Sequence, residues 1–368
     1  MRLLHLVDSS SYNPILVDIS KHIDKSRTTL SVATLAPAGE LHERLSAMGI
    51  ATFALDCTRK AHYPGAIVRL AGLLRRQRIE VLHTHLVQSS LIGLAAAFLA
   101  RTPVRVMTRH HSDAVFLSGN RAALAADRLI DRYLADEIIA VSQATKQAII
   151  EIDGVDESKI TIVPNGFDWN RIRSRPEAGR AIREEFGLDH APVLCTVGRL
   201  DRLKGHEVLL RALVEAALPK ARLIIVGHGP QKAFLQKMAQ DLAIADRCIF
   251  TGYRSDVYDI MAASDLIVHP SLSEAHNLAI IEALHLGRPV VATAVGAARE
   301  VIIPGKTGWL VPPHDHVALA HSLREALADA EKARAFAQAG QQLVRSMYSI
   351  QNMIKGYEAV YARHLSIR

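Results

Sequence analysis

A loop in the second half of the chain carries two cations beside glycine, a combination that suits binding of a phosphate group. The loop follows a short apolar run and reads Gly198-Arg199-Leu200-Asp201-Arg202-Leu203-Lys204-Gly205. Gly198 lets the backbone turn and approach a ligand closely, and Arg199 and Lys204 place two positive charges on the same loop. These residues predict a diphosphate site, although the loop alone is equally consistent with an ordinary solvated basic surface.

A second loop, further along the chain, leads into an apolar segment and contributes two carboxylates, Glu274 and Glu282. Glu282 lies among apolar residues of a predicted helix, where an ionised carboxylate is costly unless it has a partner. The two hydroxyls of a ribose would be such a partner. The second loop therefore predicts a site that binds sugar hydroxyls.

The start of this predicted helix adds a site for an anion. Asn277 precedes the apolar run as a candidate N-cap, and Gly287 follows it as a candidate left-handed end. Backbone N–H groups around His276, Asn277 and Leu278 would then point out of a helix N-terminus with roughly +0.5 charge. The same loop thus offers a second group of donors to a phosphate.

Short apolar runs alternate with longer amphipathic segments, which predicts parallel sheets with helices on both faces. The predicted strands of a first sheet are 3–7, 29–35, 81–85, 104–108 and 138–141, and those of a second are 193–197, 222–226, 248–251, 266–269 and 290–292. Ligands of such sheets bind outside the carboxyl ends of the strands. Both charged loops begin at such ends.

The length of 368 residues, with 49% hydrophobic and 22% charged residues, predicts two folded domains and excludes disordered and collagen-like classes. We expect two Rossmann-like, doubly wound α/β domains over 1–168 and 169–350, facing a central cleft. A C-terminal helix over 351–368 is expected to pack back toward the first domain.

Cysteine usage and the lack of targeting signals favour a cytoplasmic protein. Cys57, Cys195 and Cys248 are an odd number of widely spaced cysteines in apolar surroundings, which predicts buried reduced thiols. The apolar run that starts at residue 3 ends at Asp8, too early for a signal peptide. No segment has the length of about 20 mainly apolar residues that a membrane-spanning helix needs.

The net charge of +7 is concentrated between residues 51 and 109, which contain nine basic and two acidic residues. A predicted amphipathic helix over 64–78 carries four of them, Arg69, Arg75, Arg76 and Arg78. This face is either a normal surface helix or a peripheral contact with anionic lipid on the inner face of the cell membrane. Nucleic acid is not an expected partner because aromatic residues for base stacking are nearly absent there.

Taken in order, the motifs resemble the retaining glycosyltransferases of family 4, also called group 1 glycosyl transferases, which have the GT-B fold. The resemblance covers nearly the whole chain. Besides the two loops, it is carried by His83-x-His85, Thr108-Arg109-His110, Val163-Pro164-Asn165-Gly166, Val226-Gly227-His228-Gly229-Pro230, Gly252-Tyr253-Arg254, Ala263-Ser264-Asp265-Leu266 and Gly287-Arg288-Pro289-Val290-Val291-Ala292-Thr293.

The resemblance implies an enzyme that moves a hexosyl group from a UDP- or GDP-linked sugar to an acceptor hydroxyl, with retention at the anomeric carbon. The acceptor would be a glycan, a lipid-linked sugar or a small molecule. The resemblance also implies that Arg199 and Lys204 hold the donor diphosphate, that Glu274 contacts hydroxyls of the transferred sugar, and that Glu282 binds the ribose. Gly198 and Gly227 would line the same donor site.

Further site residues follow from the same resemblance. The backbone at His276, Asn277 and Leu278 would complete the phosphate site. His110 would face the cleft from the first domain, near the donor sugar and the acceptor, and its neighbour His111 leaves the choice between the two histidines open. Catalysis is thus expected to involve Glu274, His110, Arg199 and Lys204.

No cofactor or metal ion is expected. The chain contains no Asp-x-Asp pair of the kind that holds Mg²⁺ or Mn²⁺ on a diphosphate in metal-dependent sugar transferases. The segment Ala275-His276-Asn277 departs from the Gly-Phe-Gly that relatives often have, which leaves the donor sugar open. It also makes an alternative conceivable, a catalytically silent sugar-nucleotide or glycan-binding protein on the same fold.

Overall fold

A computed structural model describes residues 1–110, 125 and 128–366 of the chain. The chain divides into two compact units, one formed by Met1–Phe167 with Tyr348–Arg368 and the other by Asp168–Met347. Each unit is a parallel sheet with helices, so the predicted α/β fold class is confirmed.

The first unit is built on a seven-stranded parallel sheet in the order β3-β2-β1-β4-β5-β6-β7. Its strands are β1 Arg2–Val7, β2 Thr29–Thr34, β3 Ala51–Ala54, β4 Val81–His85, β5 Val104–Arg109, β6 Glu137–Ala140 and β7 Ile160–Ile162. Its helices before the second unit include α1 Pro14–His22, α2 Glu40–Ala47, α3 Tyr63–Arg76, α4 Val87–Ala100 and α5 Gln143–Ala148. Ser142 caps α5 as expected of a serine after a strand, because its side chain accepts a hydrogen bond from the Thr145 amide (3.1 Å).

Successive side chains of a strand point to opposite faces, so the first sheet buries apolar residues on both faces. Leu3 and Val81 pack with the helix α1 on one face, and Leu4 and Leu82 pack with residues of α3 and α4 on the other. The four arginines of the α3 region, Arg69, Arg75, Arg76 and Arg78, are exposed.

The second unit is built on a six-stranded parallel sheet in the order β10-β9-β8-β11-β12-β13. Its strands are β8 Val193–Val197, β9 Arg222–Val226, β10 Cys248–Gly252, β11 Leu266–His269, β12 Val290–Thr293 and β13 Trp309–Val311. Its helices are α6 Ala178–Glu185, α7 His206–Glu215, α8 Lys232–Asp241, α9 Val257–Ala263, α10 Leu278–His285, α11 Ala298–Val301, α12 His316–Ala328 and α13 Ala330–Met347.

All ten predicted strands are present, and three strands were missed, namely β3, β7 and β13. Each of the three lies at the edge of its sheet and has only three or four residues. An edge strand is covered incompletely, so it does not need the continuous apolar run by which a central strand is recognised.

The chain returns to the first unit after Met347. Phe167 pairs with this returning segment, because its amide donates to the Tyr348 carbonyl (2.8 Å) and its carbonyl accepts from the Ile350 amide (3.0 Å). The last helix, α14 Ile350–Ser366, then contacts α1 and β5. The first unit is therefore completed by the C-terminal residues.

The predicted free thiols are present, but one is less buried than expected. Cys57 and Cys195 are buried and Cys248 is half-buried. Burial raises the pKa of Cys195 to about 12 and that of Cys248 to about 11, so both remain protonated at neutral pH. Within the described part of the chain, no helix combines the length and the apolar character required to cross a bilayer.

Gly166 leaves no space for a side chain where α14 begins. A Cβ atom there would lie 2.6 Å from the Ser349 carbonyl oxygen and 2.8 Å from Cβ of Met353. We predict that Gly166→Ala lowers the free energy of unfolding by about 1–3 kcal/mol, as overpacking generally does. Urea unfolding followed by circular dichroism measures the change.

Gly72→Ala is the matched control, because Gly72 lies inside α3 and the nearest atom to its new Cβ would be Nη1 of Arg76 at 3.4 Å. This variant should gain about 0.5–1 kcal/mol from reduced backbone entropy. Equal stability of Gly166→Ala and the wild type would contradict the packing described for α14.

Candidate active site

The two predicted loops lie at the carboxyl end of the second sheet, and glycine allows them to approach closely. Gly198 follows β8, and its amide donates to the Val226 carbonyl (3.0 Å). Gly227 follows β9, and a Cβ on it would lie 1.9 Å from the Gly198 carbonyl oxygen. Only glycine fits at 227, so the backbones at Gly198 and Gly227 lie side by side at the sheet edge.

The loop with Lys204 is fixed against the loop that follows β11. Asp201 accepts a hydrogen bond from the Leu203 amide (2.9 Å) and so begins the helical turn Arg202–Lys204. Gly205 ends that turn with a φ of +63°, and a Cβ there would lie 2.0 Å from the Pro270 carbonyl oxygen. The Leu272 amide donates to the Leu203 carbonyl (2.7 Å), which joins the two loops directly.

This arrangement brings Lys204 and Glu274 together. One oxygen of Glu274, Oε1, accepts from Nζ of Lys204 and from Oγ of Ser271 (2.9 Å), and it lies 3.1 Å from Nε2 of His269. The Glu274 side chain is 13% exposed. Burial opposes ionisation, but the contacts with His269 and the charge of Lys204 outweigh it and lower the pKa of Glu274 to about 2.

Arg199 does not join this cluster. Its Nε donates to Oδ2 of Asp201 (2.7 Å) and its side chain is 70% exposed. Arg199 therefore lies on the predicted loop but points to solvent, whereas Lys204 on the same loop points to Glu274.

Helix α10 begins at Leu278, but the expectation that the Asn277 side chain caps it is wrong. Asn277 has a φ of +52°, and its Oδ1 accepts from the Ala298 amide (3.2 Å) instead of from the first turn of α10. Its backbone carbonyl accepts from the Ile280 amide (3.0 Å). Gly296 lies against this side chain, since a Cβ at 296 would be 2.6 Å from Asn277 Oδ1. Asn277 thus connects the start of α10 to the loop before α11.

The predicted end of α10 is confirmed, because Gly287 has a φ of +68° and its amide donates to the Leu284 carbonyl (2.9 Å). At the other end, His276 is buried and Leu278 is exposed.

Glu282 projects from α10 and is half-buried. The hydroxyl of Tyr258, on α9, donates to Oε1 of Glu282 (3.0 Å), and Nη1 of Arg171 donates to the Tyr258 hydroxyl (3.4 Å). Burial raises the pKa of Glu282 despite the opposing effects of Tyr258 and Arg171. An ionised carboxylate among apolar residues needs a partner, and the Tyr258 hydroxyl is one such partner for Glu282.

Sequence reasoning missed His269, Ser271, Tyr258 and Arg171. His269 and Ser271 lie at the end of β11, so the rule that ligands meet strand ends could have found them. Tyr258 contacts Glu282 from α9, and Arg171 contacts the Tyr258 hydroxyl from a separate segment. No spacing in the sequence signals these contacts.

His110 lies in the first unit, after β5, and is half-buried. Its Nε2 is 3.1 Å from Nδ1 of His85. The alternative residue, His111, lies outside the described residues.

Comparisons with known proteins agree with this fold. The family model for Glycosyltransferase Family 4 matches residues 15–171, and the model for Glycosyl transferases group 1 matches residues 180–343. The chain resembles the crystal structure of Anabaena Alr3699/HepE in complex with UDP and glucose, with a TM-score of 0.86 at 23% identity over 99% of this chain and 100% of that one. The fold is that of the GT-B glycosyltransferases.

Curated relatives define the family more closely. D-inositol 3-phosphate glycosyltransferase of Thermobispora bispora is 28% identical over 88% of this chain and 83% of its own length. The GDP-mannose-dependent alpha-(1-6)-phosphatidylinositol monomannoside mannosyltransferase of Mycolicibacterium smegmatis is 31% identical over 77% of this chain and 78% of its own length. The chain belongs to glycosyltransferase family 4 and is a glycosyltransferase. These relatives are named as transferases, so they do not support the alternative of a catalytically silent sugar-nucleotide or glycan-binding protein.

The low pKa of Glu274 predicts how it affects stability. Because the folded pKa of about 2 lies below the ordinary 4.5, the carboxylate stabilises the fold above pH 4.5 and loses this effect as the pH falls towards 2. Glu274→Gln should therefore lose more stability at pH 7 than at pH 3.5, by roughly 1 kcal/mol. Urea unfolding of the wild type and of Glu274→Gln at the two pH values measures this difference. An equal loss of stability at pH 7 and pH 3.5 would contradict an ionised Glu274.

Proposed function

We propose that the chain transfers a hexosyl group from a nucleoside diphosphate sugar to an acceptor hydroxyl, with retention at the anomeric carbon. The observation that carries the proposal is the pair of Lys204 and Glu274 at the carboxyl edge of the second sheet, on the loops beside α10, the helix that carries Glu282. Together these residues combine a cation for a diphosphate with two carboxylates for sugar hydroxyls.

The diphosphate would bind at Lys204 and at the first amides of α10, near Leu278. A helix N-terminus and an ammonium group both favour an anion, and the loops that carry them are fixed before any ligand binds. Arg199 would add a second cation by leaving Asp201 for the phosphate, a small change for an exposed side chain. Gly198 and Gly227 would let the nucleotide approach the backbone.

Glu282 would bind the ribose hydroxyls through its carboxylate. Tyr258 occupies Oε1 of Glu282, which fixes the direction of the carboxylate toward a diol. One carboxylate can accept from two hydroxyls, which suits the 2′ and 3′ positions of a ribose.

Glu274 would orient the transferred sugar as an ionised carboxylate. With a pKa of about 2 it carries no proton at neutral pH, so it cannot serve as a general acid there. We propose a front-face reaction in which a departing phosphate oxygen helps to remove the acceptor proton. The main contribution of the protein is then electrostatic stabilisation of the departing diphosphate by Lys204.

The charge on the leaving group would be balanced without a metal ion. Lys204, Arg199 and the N-terminus of α10 supply the positive charge that Mg²⁺ or Mn²⁺ provides where an Asp-x-Asp pair is present. The names of the relatives favour a phosphorylated inositol or a glycolipid as the acceptor class, with UDP- or GDP-linked donors.

We predict that one of the UDP-, GDP- or ADP-linked hexoses raises the melting temperature, because a ligand that binds only the folded state stabilises it by mass action. The stabilising donor should be turned over equally well with and without EDTA, and NMR of the product should show the anomeric configuration of the donor. Stabilisation by none of the donors would reject the proposed donor class. Loss of turnover in EDTA that Mg²⁺ or Mn²⁺ restores would reject metal independence, and an inverted product would reject retention.

A further inference from the structure

The first unit contains a chain of three histidines that runs from its core to His110. His5 lies in β1, His85 ends β4, and His110 follows β5, and these three strands are neighbours in the sheet. Nδ1 of His5 is 2.7 Å from Nε2 of His85, and Nδ1 of His85 is 3.1 Å from Nε2 of His110. His5 and His85 are 0% and 5% exposed, so the chain begins in the core.

Each contact between two ring nitrogens needs one proton between them. Burial lowers the pKa of His5 to about 3 and lowers the pKa of His85 well below its ordinary value, so both rings are neutral at neutral pH. A neutral ring has one N–H donor and one acceptor nitrogen. Only two arrangements then satisfy both contacts. Either His5 and His85 both carry the proton on Nδ1, or His85 and His110 both carry it on Nε2.

The far nitrogen of His5 distinguishes the two arrangements. Nε2 of His5 is buried and has no hydrogen-bond partner among the described residues. In the second arrangement this atom would be an N–H group buried without an acceptor, whereas in the first it is a bare lone pair. Orphaned buried N–H groups are rarer than unsatisfied acceptors, so the first arrangement is favoured. His85 therefore donates from Nδ1 to Nε2 of His110.

His83 stands beside this chain but does not belong to it. Its Nδ1 pairs with the Tyr361 hydroxyl and its Nε2 with the Thr108 hydroxyl, both at 2.6 Å. His83 stacks on His85 with ring centroids 4.3 Å apart. It thus contacts the face of the His85 ring but shares no proton with it.

The same side chains do not form a good metal site. His5, His83 and His85 each offer a ring nitrogen, and these atoms lie within 4.8 Å of one another. The ring of His83 is stacked on that of His85 at an interplanar angle of 28°, so the in-plane lone pairs of these two rings are directed past one another. His5 and His85 are nearly coplanar (14°), and Nδ1 of His5 lies 2.7 Å from Nε2 of His85, so these two nitrogens share one proton and do not both face an ion.

We propose that His5 and His85 are positioning residues that hold His110 in the tautomer protonated at Nδ1, with Nε2 occupied as an acceptor. Nδ1 of His110 is then a hydrogen-bond donor and not a general base. This inference rests on the proposed function for the role of His110 in the reaction, but the tautomer itself follows from the fold.

The tautomer can be measured on the intact protein by ¹⁵N NMR of the histidine rings at pH 7. We expect His110 to be protonated at Nδ1 in the wild type. In His85→Leu, which removes the donor, we expect a mixed or reversed tautomer and a fall in kcat/KM of about tenfold or more, below the 10²–10³ expected for full loss of a donor. His85→Asn keeps an amide donor near the Nδ1 position, so it should restore part of the Nδ1 tautomer of His110 and part of the kcat/KM.

His83→Leu is the matched control, because it removes a buried histidine from the same cluster and should leave the His110 tautomer unchanged. A wild-type His110 protonated at Nε2 would overturn the proposal, and so would an unchanged tautomer in a folded His85→Leu protein. A correct tautomer in a protein that turns over no nucleotide sugar would instead reject the proposed function. If His110 is protonated at Nδ1 in the wild type but His85→Leu keeps a normal kcat/KM, the positioning role is rejected.

Discussion

The ion pair between Lys204 and Glu274 is the interaction on which the proposed site depends. Both side chains are largely removed from water, and charges in such a position are stable only when geometry and further hydrogen bonds satisfy them. Ser271 and His269 provide those further contacts. The geometry is provided by the backbone, because the loops after β8 and β11 meet where Gly205 contacts Pro270. The charges are therefore arranged before a substrate arrives, as electrostatic stabilisation of a leaving group requires.

The glycines of this region follow from the same constraint. Gly227 is needed because a side chain would collide with Gly198, and Gly296 because a side chain would collide with Glu274 and Asn277. The segment in which this chain departs from the pattern of its family thus has structural consequences, since Asn277 anchors the loop before α11. The family membership explains the fold and the class of reaction.

The sequence predicted the central strands and the position of both charged loops, because buried parallel strands have apolar runs and ligand loops follow them. It could not predict which side chains meet across the sheet. Arg199 and Lys204 looked equivalent on one loop, yet only Lys204 reaches Glu274, because Asp201 holds Arg199 outward. Asn277 directly precedes α10, but its side chain accepts from the Ala298 amide instead of capping the helix, since a tertiary contact outweighs the local cap. The sequence did not single out His5, because its role depends on a contact with His85 in a neighbouring strand.

The central claim is that Lys204 holds the diphosphate, and the kinetics of Lys204→Ala test it most directly. Arg202→Ala is the control, because it removes an exposed cation from the same turn. With the proteins shown to be folded by circular dichroism, we predict that Lys204→Ala loses about 10²–10³ in kcat while Arg202→Ala keeps nearly normal turnover. Near-normal turnover by Lys204→Ala would show that the leaving group is held elsewhere and would contradict the account.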